Sequence, residues 1–120
     1  MVRVADVTHS KFKALPVTAT VGEVQQWFQS STSRQMALLA DDGRYAGRLL
    51  RAEVEGLDPG AAAVEFAEPG ETVTPDEPAA RGRELALATP GLRVPVVDGD
   101  GQLVGIVALT TDLKGFCGTE

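Results

Sequence analysis

The sequence predicts an α+β fold in which one small unit occurs twice. Three observations carry that prediction. Shifting the chain by 58 residues lays SRQMALLADDGRYAGRLLRAEV (33–54) on GLRVPVVDGDGQLVGIVALTTD (91–112), so that Asp42 meets Asp100, Gly43 meets Gly101 and Gly47 meets Gly105. In each copy two aliphatic runs flank an Asp-Gly pair, the pattern of a β-hairpin. Upstream of each hairpin stands a stretch with helix-start chemistry.

The elements follow in order. Thr20 with Glu23 three residues later forms a capping box, and Val21, Val24 and Phe28 recur at helical spacing, so a helix is expected over about 20–31. Trp27 widens its apolar face, and Ser30-Ser31-Thr32-Ser33 ends it. Strand 35–40 turns at Asp41-Asp42-Gly43 into strand 44–50, and a short helix covers 52–57. Asp-Gly favours a type I′ turn, in which both central residues need positive φ, and matching turns are expected at Gly43 and Gly101. In the second copy Thr74-Pro75-Asp76-Glu77-Pro78 announces a helix over about 77–88, which Pro90-Gly91 stops. Strand 93–97, the turn Asp98-Gly99-Asp100-Gly101, strand 102–109 and a helical turn over 111–116 complete the copy. The sequence cut falls in Gly56-Leu57-Asp58-Pro59-Gly60, giving copies 1–58 and 59–120, with Ala61-Ala62-Ala63 leading into the second. A unit of that size buries only about 60% of its unfolded-chain surface, so the two copies are expected to form one intimate pair.

Composition narrows the function. With 120 residues, 43% of them hydrophobic, the chain can bury a core. The aliphatic run LVGIVAL is far shorter than the roughly 20 residues that span a bilayer, and no signal peptide is visible at the N-terminus, so a soluble, cytoplasmic protein without membrane contact is expected. The net charge of -6 argues against nucleic acid as a partner. His9 is the single histidine and Cys117 the single cysteine, and no HExxH, CxxC or Walker motif occurs, so an enzyme is not expected. Asp98-Gly99-Asp100-Gly101 resembles the start of a calcium loop, but the twelfth position is Leu109 where glutamate is needed; it reads as a plain turn, with no metal. Residues 1–58 hold seven basic and seven acidic side chains, whereas 59–120 hold four and ten. The arginines of the first half, Arg44, Arg48 and Arg51, read either as a solvated strand or as cations offered to an anion.

RVPVVDGDGQLVGIVALTTDL (93–113) resembles the signature half of a cystathionine β-synthase (CBS) domain, and Glu71-Thr72-Val73-Thr74-Pro75-Asp76 fits the part upstream of it. The first copy resembles the pattern more weakly, with Ala37 at the proline position and Ala40 at the first aspartate. Tandem CBS domains form a Bateman module. The resemblance implies β-α-β-β-α repeats packed through their sheets with pseudo-twofold symmetry, clefts between the copies, and a homodimer of regulatory rather than catalytic function. It also implies AMP, ADP, ATP or S-adenosylmethionine as candidate effectors.

In nucleotide-binding members the second hairpin strand runs Gly-x-x-Ser/Thr-x-x-Asp, the hydroxyl orienting a phosphate or ribose and the carboxylate accepting from the ribose diol. Counted from Gly47, the hydroxyl position is Leu50 and the acid position Glu53; counted from Gly105, they are Ala108 and Thr111, with Asp112 one residue late. Arg51 falls where members of the family place a phosphate-binding cation. The candidate ligand-binding residues are therefore Arg51, Glu53, Met36, Val94, Pro95, Thr111 and Asp112. Two readings follow. One is a small regulatory or sensor protein that binds an adenine nucleotide between the repeats. The other is a ligand-independent dimerisation and protein-interaction module whose nucleotide site has decayed, as the departures at Leu50, Ala108 and Thr111 suggest.

Overall fold

The computed structural model of the protein describes residues 1–32 and 34–109; the helix expected at 111–116 lies outside them. In chain order the elements are α1 (Val4–Val7), β1 (Ala14–Pro16), α2 (Val21–Gln29), β2 (Met36–Asp41), β3 (Arg44–Leu50), α3 (Arg51–Val54), a 3-10 turn (Ala63–Glu65), α4 (Ala79–Leu87), β4 (Arg93–Val97) and β5 (Leu103–Ala108). The α+β composition and the paired hairpins agree with the sequence.

Two compact units form, and their division differs from the sequence cut at 58/59. The inner unit is residues 13–70; the outer unit joins residues 1–12 to the chain from Glu71 on. In the inner unit β1 runs parallel to β2, and β2 antiparallel to β3. The expected capping box starts α2: the Glu23 amide donates to Thr20 Oγ1 at 3.2 Å and the Thr20 amide to Glu23 Oε1 at 3.1 Å. The helix lays Val21, Val24 and Phe28 on Ala37, Leu39 and Leu49, all buried. Their spacing follows from helix and strand periods: every third or fourth residue of α2 and alternate residues of β2 share one side. Met36, Leu38, Arg48 and Leu50 therefore belong to the sheet's other face. The outer unit pairs β4 with β5, adds Val73 as a parallel bridge to Val96, and packs α1 and α4 around Val94, Val96 and Val107.

The boundary moves because each copy's leading segment covers the hairpin of the other copy, and so joins that hairpin's unit. His9 bridges Ile106, and Glu68 bridges Arg48. Each leader also begins at the residue before a long helix: Arg3 bridges Pro78, the cap of α4, and Ala62 bridges Thr20, the cap of α2. Within the leaders, Val4 and Ala63 are both fully buried. Ala61-Ala62-Ala63 thus packs against the first hairpin and not the second. In space the two copies of the sequence have exchanged leaders.

The hairpins also differ by one residue. Leu38 pairs with Arg48 and Leu39 with Gly47; Pro95 pairs with Ile106 and Val96 with Gly105. The second strands correspond at the expected offset of 58, but the first strands correspond at 57. Leu38, not Ala37, stands at the proline position, and Asp41, not Ala40, at the first aspartate. The cause lies in the turns. Asp42 at φ 51° and Gly43 at φ 85° make the expected type I′ turn between the paired residues Asp41 and Arg44. In the second hairpin Gly101 has φ 83° but Asp100 is not left-handed, and the Gly101 amide donates to the Asp98 carbonyl at 3.0 Å. This is a type I turn followed by a left-handed glycine, one residue longer than a type I′ turn, so the turns do not match. Asp98 Oδ1 holds it by accepting from the Asp100 and Gln102 amides, both at 2.9 Å.

Candidate functional site

The candidate residues fall in both units. Val94 and Pro95 lie in β4 of the outer unit, Val94 fully buried within its core cluster and Pro95 nearly so. The Pro95 carbonyl accepts from the Val73 amide at 3.0 Å, so the proline lies between β5 and the Val73 bridge. Met36, Arg51 and Glu53 belong to the inner unit. Thr111 and Asp112 lie outside the described residues.

In the inner unit β3 runs directly into α3, so Leu50, Arg51 and Glu53 share a strand-to-helix corner. Met36 is buried opposite Leu50 at the start of β2. Leu50 supplies no hydroxyl; its amide donates to Glu53 Oε1 at 2.8 Å, which makes Glu53 the capping carboxylate of α3. Arg51 reaches the C-terminal end of α2. Its Nε donates to the Arg34 carbonyl at 2.7 Å, and its Nη2 to the Phe28 and Ser31 carbonyls at 2.5 and 2.6 Å. The guanidinium also lies 5.2 Å from the centre of the Phe28 ring. A cation at a helix C-terminus meets carbonyls that have no intrahelical donor, so this is a structural clasp between α3 and α2. Arg34 adds to it, 4.4 Å over the Trp27 ring and donating to the Trp27 carbonyl at 2.7 Å. Arg51 and Glu53 are brought to one corner, but their contacts diverge.

A pocket of about 290 Å³ opens beside this corner, lined by Gln25, Phe28, Arg51, Val54 and Glu55 among others. Two of its polar groups are already engaged: besides Arg51, the Gln25 amide donates to the Val54 and Leu57 carbonyls at 2.9 and 3.2 Å. Glu53 does not line it.

Arg48, which the sequence offers only as one of three strand arginines and not among the candidate ligand-binding residues, stands out in the structure. It lies on β3 between Gly47 and Leu49, on the face away from the core, with its side chain 18% exposed. Nη1 stands 3.6 Å from Glu53 Oε1, a long ion pair. The signal was present: Leu49 has to face the core, and strand alternation then puts Arg48 with Leu38 and Leu50 on the sheet's second face. Nearby, the Tyr45 hydroxyl donates to the Pro69 carbonyl at 2.6 Å. Burial pushes the phenol up to about 12, against a smaller opposing effect of the Arg48 charge. Among the described residues no cluster of histidine, cysteine, aspartate and glutamate is placed to hold a metal, and no helix is long and apolar enough to cross a membrane.

The family model of the CBS domain matches residues 66–111. No curated protein matches the chain in sequence. Solved structures do match in fold. The cystathionine β-synthase pair domain from Shewanella oneidensis MR-1 aligns with a TM-score of 0.80 at 20% identity, over 90% of this chain and 66% of that one. CBSX2 from Arabidopsis thaliana in complex with AMP gives 0.75 at 20% identity, over 94% and 93%. The cytosolic domain of the Mg2+ channel MgtE in complex with ATP gives 0.70 at 25% identity, over 85% of this chain and 44% of that one. The duplicated hairpin, the helix before each copy of it and these alignments agree: residues 66–111 match the CBS domain, and the chain has the fold of a CBS-domain pair, the Bateman module.

Proposed function

We propose that the protein is a regulatory CBS-domain pair that binds an adenine nucleotide as its effector and works as a homodimer. The carrying observation is the likeness, over most of the chain, to CBS-domain structures holding AMP and ATP. Glu53 supports it. The carboxylate stands at the acid position of the nucleotide motif, and among the described residues the Leu50 amide donates to Oε1, which leaves Oε2 to accept from a ribose diol. Arg51, Met36, Val94, Pro95, Thr111 and Asp112 complete the proposed residue set, Arg51 by holding the corner on which Glu53 sits. Ligand binding would then shift the population of states presented to a regulated partner; no turnover is involved.

A specific observation favours a second reading, a ligand-independent pairing and interaction module. Leu50 and Ala108 stand where the motif has a hydroxyl, and neither can hydrogen-bond a phosphate or ribose through its side chain. A thermal-shift series with AMP, ADP, ATP and S-adenosylmethionine separates the two. A ligand at 100 times its Kd adds about 2.7 kcal/mol of stability and raises the midpoint by several degrees. No shift with any of the four selects the second reading. Light scattering checks the dimer: a single species of 12.6 kDa at micromolar concentration removes it.

A further inference from the structure

Arg48 carries a cost that the fold of the inner unit does not explain. Its Nη1 is buried and has no hydrogen-bond partner among the described residues. The carboxylate beside it, Glu53 Oε1, stands at 3.6 Å, too far for a hydrogen bond, and already accepts from the Leu50 amide. A guanidinium has five donors, no acceptor and no accessible neutral form, so desolvating it without a close acceptor is unfavourable. An aliphatic side chain such as that of Leu38, its partner on β2, would fill the place without that cost.

The surrounding chain nevertheless accommodates the arginine. The Arg48 backbone is held on both sides by the Glu68 bridge, its amide donating at 2.8 Å and its carbonyl accepting at 3.1 Å. Gly70 sits at φ 58°, and a Cβ there would run into Arg48 Nε. The leader thus bends past the side chain on a glycine that leaves it room. A residue fitted so closely, with a buried donor left unpaired among the described residues, is the pattern expected where stability is given up for binding. Arg51 shows the opposite pattern, with three carbonyls on its donors.

We infer that Arg48 is the anion-recognising residue of this protein, donating to a phosphate oxygen of the ligand while Glu53, next to it, accepts from hydroxyl groups of the same molecule. The nucleotide part of this inference rests on the function proposed above; the anion part rests on Arg48 alone. A flat guanidinium whose Nη1 lacks a hydrogen-bond partner among the described residues matches the oxygens of a phosphate, and the adjoining carboxylate matches a polyol. Inorganic pyrophosphate and a nucleotide share the first feature, and only the nucleotide has both.

The test is calorimetric titration of wild type, Arg48→Met and Arg48→Lys with pyrophosphate, AMP and ATP, together with melting of each protein free of ligand. Wild type is expected to bind ATP and pyrophosphate. Arg48→Met is expected to weaken both at least tenfold while its ligand-free melting temperature holds or rises, because an unsatisfied charge has been removed. Should Arg48→Met fail to fold, Arg48→Lys keeps the charge, loses the flat fork, and is expected to lose affinity several-fold at an unchanged melting temperature. Equal affinities in wild type and the variants overturn the inference, even where ATP binds and the proposed function stands. So does a wild type that binds neither pyrophosphate nor nucleotide. Arg48-dependent binding of pyrophosphate with no gain for ATP or AMP keeps the anion role and discards the nucleotide.

Discussion

His9 and Ile106 exchange two backbone hydrogen bonds, of 2.7 and 3.0 Å, which make the leading segment of the chain a strand partner of β5. Arg48 and Glu68 do the same in the inner unit, at 2.8 and 3.1 Å. In both places a glycine one residue before the bridged strand position, Gly105 or Gly47, lets the leader come close. At Gly105 a Cβ would fall 2.8 Å from the His9 carbonyl oxygen and against the Thr8 methyl.

Gly105→Ala is therefore expected to cost about 1–3 kcal/mol, the range for forcing atoms into a packed place. Gly56 is the control. It sits at φ 81° with nothing within 4 Å of a Cβ, so Gly56→Ala is expected to cost only the backbone term, about 1 kcal/mol. Urea denaturation of both variants checks the order; Gly105→Ala as stable as wild type would remove the leader contact.

The clasp between α3 and α2 predicts a stability role for Arg51. Loss of the three carbonyl contacts in Arg51→Ala is expected to lower stability by about 2 kcal/mol. Arg51→Lys is expected to recover little of it, since an ammonium cannot reproduce the fork. Trp27, the single tryptophan, lies at the end of α2 and reports the change by fluorescence. Melting temperatures equal to wild type in both variants would count against the clasp.

Tyr45 sets an alkaline limit. Burial raises its phenol from 10.0 to about 12, so the fold favours the neutral form that donates to Pro69. The stability it contributes is complete below pH 10 and is lost as the pH rises through about 12. As the only tyrosine, its phenolate absorbance reads the titration directly, and it is expected above the range of free tyrosine. Tyr45→Phe is expected to flatten the fall in stability over the same interval. A phenolate midpoint at 10 would contradict the desolvation of this half-buried residue.

The two turns predict unequal aspartates. Asp98→Ala removes an acceptor shared by two amides and is expected to cost about 1–2 kcal/mol. Asp41→Ala, at the exposed end of a turn whose φ angles are set by Asp42 and Gly43, is expected to cost under about 0.5 kcal/mol. Equal losses, measured by denaturant melts, would mean that the hairpins share one turn type after all.

Much of this was legible in the sequence. Thr20-Glu23 marked the start of α2, and the apolar spacing of Val21, Val24 and Phe28 marked its buried side, because capping and periodicity are local. The one-residue offset at Leu38 and Pro95 was not, since an ungapped comparison cannot tell a two-residue turn from a longer one when both contain Asp-Gly. The leaders were missed for a different reason. Val4-Ala5-Asp6-Val7 and Ala63-Val64-Glu65-Phe66 are too short to show a period, and their structure depends on strands far along the chain. Arg51 was picked by position, but whether a guanidinium meets a ligand or a helix end is decided by carbonyls that converge only on folding. The same holds for Arg48 Nη1, which is left without a hydrogen-bond partner among the described residues.

The exchange of leaders also sets an order of assembly during synthesis. Residues 13–70 are continuous, so once Gly70 has left the ribosome every strand, helix and leader of the inner unit is available. The outer unit has no such moment. Val4 and Val7 emerge before the inner unit, yet the strand that His9 pairs with is made only when the chain reaches Ile106, and closing so long a loop carries an entropic cost and slows folding. Until then those two valines have no core to enter, so a segment made before the inner unit is buried after it.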